Sequence, residues 1–70
     1  MGTTTYFEDD VKDAAKGEFL HLDVGTTGFA GNGPQMYINL GGKGIILSHD
    51  DAKRLCDGIE GIAHYLGYRK

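Results

Sequence analysis

The chain has one cysteine, one proline and no tryptophan. The lone Cys56 excludes an internal disulfide and any zinc site built from several cysteines. Basic residues are few, 7 against 10 acidic ones, for a net charge of −3. Strong unassisted binding to nucleic-acid phosphate needs clustered Lys and Arg, so this balance argues against nucleic acid as a partner. Long apolar runs are also missing. The longest, Gly44 to Leu47, falls far short of the roughly 20 residues a membrane-spanning helix needs. The amino terminus is polar with no apolar stretch behind it, and Tyr6 stands where a myristoylation signal needs Ser or Thr. These absences lead us to expect a reduced, cytoplasmic protein with no membrane partner.

A length of 70 residues allows one small domain. It excludes a catalytic barrel, a two-domain nucleotide enzyme or a repeat array. A chain this short buries only about 60% of the surface its unfolded form exposes, so help from a partner subunit is a common remedy. Hydrophobic residues at 40% and charged ones at 24% fit a folded chain, not a disordered one. What the sequence has in excess is glycine, 12 residues in 70, more than twice the usual ~7%.

Thr5 and Glu8 have the spacing of a capping box, with Asp9 and Asp10 in the first turn after it. Phe7, Val11, Ala14 and Ala15 then fall on one helical face, and Gly17 can close the segment. The pattern predicts a helix over about 6–16, against a rival strand reading of residues 3–7, where Thr, Tyr and Phe favour sheets. Residues 18–24 alternate, with Leu20, Leu22 and Val24 on one side and Phe19, His21 and Asp23 on the other, as in a strand. Residues 25–34 read GTTGFAGNGP, which breaks both strand and helix. Strands are expected over 35–40 and 43–47 around Gly41-Gly42, a two-residue hairpin signal. Counting from that turn pairs Leu40 with Lys43, Ile38 with Ile45, Tyr37 with Ile46 and Met36 with Leu47. Ser48 then caps a helix over 49–66, whose apolar stripe runs Ala52, Leu55, Cys56, Ile59, Ile62, Ala63 and Leu66. The fold class expected is a single α+β domain over 1–70 in the order α-β-β-β-α. A three-stranded antiparallel sheet would carry the long helix on its Leu20/Ile38/Ile45 face.

No catalytic or cofactor signature is present. His49 and Cys56, and Cys56 and His64, are too far apart along a helix to share a metal ion. Only Glu60 and His64 could do so, and two ligands make a weak site, so no metal is expected. Cys56 lies nearly two turns into its helix at the edge of the stripe, where a cysteine is usually a small buried hydrophobe and not a nucleophile. An enzyme and a bound cofactor are therefore not expected.

Three features remain. In the loop over 25–34, Phe29 is the single large apolar residue, flanked by Gly28, Gly31 and Asn32. An aromatic in a flexible polar loop either folds back onto its own domain or serves as an anchor in a partner's pocket. Phe19, Tyr37 and Ile46 share the second sheet face, either open for the same partner or covered by the first helix. Gly58, Gly61 and Tyr65 share a flank of the long helix; each interior glycine costs about 0.5–1 kcal/mol, which suggests close approach of another backbone and self-association. The expectation is a protein-interaction module that binds, and in some settings inhibits, a larger cellular protein. Small chains carried by phages and mobile elements are often of this type. The alternative is a small anionic ligand, such as a nucleotide, cradled by the amides of Gly25, Thr26, Thr27 and Gly28.

Overall fold

The computed structural model describes residues 2–31 and 33–69. Its elements are β1 Thr3–Lys12, β2 Phe19–Thr27, β3 Gln35–Leu40, β4 Lys43–Ile46 and α1 His49–Leu66. The strands form one antiparallel sheet in the order β1-β2-β3-β4. The fold is α+β with a single C-terminal helix. Its order is β-β-β-β-α with four strands, which corrects the expected α-β-β-β-α and three-stranded sheet.

The error lies in residues 6–16, and its cause is physical. A capping box contributes only about 1 kcal/mol, whereas β1 gains a ladder with β2 from Thr3↔Thr27 to Lys12↔Phe19. The register shifts between Thr5 and Phe7, so Tyr6 is the extra residue of a β-bulge. That bulge brings Phe7 into the row Phe7–Val24–Ile38–Ile45 across all four strands. Asp13 then organises the turn into β2. Its Oδ1 accepts from the amides of Ala15 and Lys16 at 2.9 and 3.1 Å. Gly17, at φ 81°, closes the turn by donating to the Asp13 carbonyl at 2.7 Å. The glycine expected to stop a helix stops a hairpin loop instead.

β3 and β4 pair in the expected register, with Leu40↔Lys43, Ile38↔Ile45 and Tyr37↔Ile46. Gly41 and Gly42 have φ of 60° and 90°, the conformation a two-residue hairpin demands and other residues resist. The Leu47 amide donates to the Met36 carbonyl at 2.8 Å, carrying that register one step past β4. Ser48 caps α1 by accepting from the Asp51 amide at 3.2 Å. Gly67, at φ 76°, ends it, with the neighbouring amides returning to the Ala63 and His64 carbonyls. The helix bounds match the sequence pattern.

The sheet has two distinct faces. Alternation from the observed register puts Phe7, Val24, Met36, Ile38, Leu40 and Ile45 on one, and Thr5, His21, Asp23, Tyr37, Asn39 and Ile46 on the other. Helix α1 lies on the side of the first face, beside β3. A gap of about 500 Å³ opens between helix and sheet, bounded by Val24, Met36, Ala52 and Cys56. Helix α1 turns its alanines inward: Ala63 is buried and Ala52 half-buried. Leu55, Ile59, Ile62 and Leu66 stay exposed. Cys56 is exposed as well, contrary to the buried position expected of it. No helix is long and apolar enough to cross a membrane among the described residues.

Candidate functional site: the open sheet face and its loop

The second sheet face carries no helix. The first helix that might have covered it is β1, part of the sheet itself. What remains is a shallow concavity of about 650 Å³, bounded by β1, β2, β3, β4 and the β2–β3 loop. Its floor and walls include Thr5, Asp23, Tyr37, Asn39 and Ile46, and Phe29 stands at its edge.

Tyr37 is the fixed point of this surface. Only 6% of it is exposed, and its hydroxyl donates to Asp23 Oδ1 at 2.7 Å. With that proton committed, the phenol oxygen accepts from Thr5 Oγ1 at 3.1 Å. The phenol titrates above its ordinary range. The bond from Thr5 opposes that shift, while donation to Asp23 and burial outweigh it. Three strands are thus tied by one polar chain at the centre of the concavity. Thr3 and Thr27 extend the tie at its margin through their hydroxyls, 3.0 Å apart.

Gly25 makes this arrangement possible. It sits in β2 opposite Thr5 and Tyr37, and a Cβ there would run into the Thr4 backbone. The glycine expected to begin a loop is a buried strand residue. β2 runs on through Thr27, so the connection shrinks to residues 28–34.

Further along β1, His21 lies between two carboxylates. Its Nδ1 is 2.9 Å from Asp10 and its Nε2 is 2.9 Å from Glu8. Only the protonated ring can donate to both. The hydrogen bond to Asp10, then that to Glu8, raise its pKa above 6.5. All three side chains are substantially exposed, so this is a screened surface cluster. It went unforeseen because Glu8 and Asp10 were placed on a helix. Their alternation with Phe7, Asp9 and Val11 was the available signal for a strand.

The loop is a tight turn with an outward tip. The Gly31 amide donates to the Gly28 carbonyl at 3.2 Å, and the Gly28 amide donates to the Gly2 carbonyl at 3.2 Å. The Phe29 amide reaches Thr27 Oγ1 at 3.4 Å. Gly31 and Gly33 have positive φ, 86° and 76°. Phe29 and Ala30 occupy the turn's centre, and Phe29 remains 75% exposed. Asn32 lies outside the described residues.

This geometry sorts the expected site residues. It brings Phe29, Tyr37 and Ile46 together around one concavity. Tyr37 is its floor and not a projecting anchor. Phe19 shares the face but lies at the far end of β2, beside Lys12, whose Nζ is 5.9 Å from the ring centre. Gly28 and Gly31 border a smaller hollow with Gly2 and Pro34. The anion cradle at Gly25, Thr26, Thr27 and Gly28 does not form. The first three are strand residues flanked by β1 and β3, and the Gly28 amide is already bonded. Gly58 and Gly61 face open space, with no atom of the surrounding fold within 4 Å of where a Cβ would stand. Among the described residues no notch for the chain's own loop accounts for them.

The chain matches no known protein family, no curated protein sequence and no solved structure.

Proposed function

We propose that this chain is a non-catalytic binding module that docks a larger protein on its open sheet face. Phe29 inserts into the partner, and the concavity over Tyr37 and Ile46 receives a side chain in return. The observation carrying this reading is Phe29 itself. A large aromatic held 75% exposed by a hydrogen-bonded turn forfeits about 1.5–3 kcal/mol of burial unless a partner supplies it. The lining of the concavity offers the acceptors Asp23 and Asn39, on a chain of net charge −3. A partner segment with an apolar side chain next to Lys or Arg is complementary to that surface. Where the docked surface is the partner's own working surface, binding inhibits it.

The test is affinity capture with the wild-type chain and with Phe29→Ala and Ile46→Asp as baits. The reading requires a protein partner held by the wild type and lost with both variants while their circular dichroism stays unchanged. Retention of the same partner by both variants would refute it.

A further inference from the structure

We infer that the opposite side of the molecule, the exposed stripe of α1 together with the uncovered part of the first sheet face, docks a second copy of this chain. The first observation is area. A compact monomer of 7.6 kDa exposes about 4,300 Å², yet this chain exposes 5560 Å². Its radius of gyration is 13.5 Å, where a compact chain of this length has about 11 Å. The excess of about 1,300 Å² per chain belongs to the whole molecule; the share of it on this side, doubled across a two-fold, is of the scale of the roughly 1,200–2,000 Å² of a stable interface.

The second observation is how α1 is rotated. A core helix turns its large apolar residues toward its sheet. Here the inward edge is Ala52 and Ala63, while Leu55, Ile59, Ile62 and Leu66, next to it around the helix, stay exposed. At 100° per residue these four run directly into the Gly58, Gly61 and Tyr65 flank. Both glycines face open space, which permits another backbone to come close. On the sheet, Leu20, Leu40 and Ile45 are exposed on the same face. Every copy therefore carries an uncovered apolar helix and an uncovered apolar strip of sheet. A two-fold axis lets each cover the other, as an isologous interface requires. Lys53 pairs with Asp57 and Arg54 with Asp51 within the helix; the second pair lies on the glycine flank and enters the interface as a neutral pair. Phe29, Tyr37 and Ile46 take no part, although Ile45 borders both surfaces, so substitutions on α1 test the dimer and leave the partner-binding site untouched.

The experiment is light scattering coupled to gel filtration between about 1 and 100 µM, with melting curves over the same range. The expected result is a particle of twice the 7.6 kDa chain mass and a melting temperature that rises with concentration. Ile62→Glu should shift the particle to monomer. Should that variant not fold, Gly61→Leu decides, because a Cβ there has no atom of the described chain within 4 Å and leucine improves helix propensity. It should raise the dimer dissociation constant roughly tenfold or more. Isotope-filtered NOEs should connect Ile59 and Ile62 of one copy to Leu40 and Ile45 of its partner. A folded monomer at the highest concentration with a concentration-independent melting point would overturn the proposal. So would a dimer unaffected by Gly61→Leu whose intermolecular NOEs map to Phe29 and Ile46.

Discussion

The Tyr37 hydroxyl donates to Asp23 Oδ1 at 2.7 Å, joining β3 to β2 beneath the concavity where Phe29 stands. The bond makes the concavity's floor rigid while its rim stays open. Tyr37→Phe should leave the ring packed but strip the carboxylate of its donor. We expect a loss of about 1.5–3 kcal/mol in urea unfolding, with the fold retained, because the lost bond is to a charged group.

Phe29→Ala has the opposite signature. The residue is exposed and no packing depends on it, so stability should stay within about 0.5 kcal/mol of wild type. Partner capture should fall sharply. Measuring both quantities on one preparation separates a docking anchor from a structural residue.

The sheet contains two glycines that differ in what surrounds them. A Cβ at Gly25 would strike the Thr4 backbone, whereas one at Gly44 would meet the Asn39 side chain. Backbone in a ladder cannot step aside, but an amide side chain can turn. Gly25→Ala should therefore cost about 2–3 kcal/mol, and Gly44→Ala clearly less, by the same unfolding assay.

His21 gives the chain a pH response. Its folded pKa is raised above 6.5 by hydrogen bonds to Asp10 and Glu8. The stabilisation it brings is fully present below 6.5 and is lost as pH rises through the folded value. The melting temperature should fall as pH is raised through that window, and His21→Gln should flatten this part of the profile. A proton NMR titration of the ring should show a midpoint above 6.5.

The Ser48 cap supplies a fourth stability test. Ser48→Ala removes the acceptor for the Asp51 amide and should cost about 1 kcal/mol. Circular dichroism at 222 nm and urea unfolding check it together.

Much of this fold is written in local patterns. The Gly41-Gly42 turn and the alternation on each side of it define the β3–β4 register. Ser48, Gly67 and the intervening stripe define α1. Both signals are short-range and agree with each other. Residues 6–16 suggest a helix and residues 3–7 a strand because two local signals conflict there, and the strand wins. The capping box at Thr5 and Glu8 is sound in isolation, but the β2 edge beside it is a long-range partner that no local spacing announces. Losing β1 also lost the Glu8–His21–Asp10 cluster and the Thr5–Tyr37–Asp23 chain, since each spans β1 and a later strand. Phe29 was legible as the large apolar residue of its loop because only glycine, alanine and small polar residues and a proline surround it; its exposure was one of two alternatives. Tyr37 as the floor of a concavity was not legible, because its burial depends on residues from three other segments.

The most direct test of the proposed function is quantitative affinity capture from cell extract with wild-type and Phe29→Ala baits matched for fold and amount. The account predicts a stoichiometric protein partner on the wild-type bait that is depleted at least roughly tenfold on Phe29→Ala. An equal yield of every captured protein on both baits would contradict it.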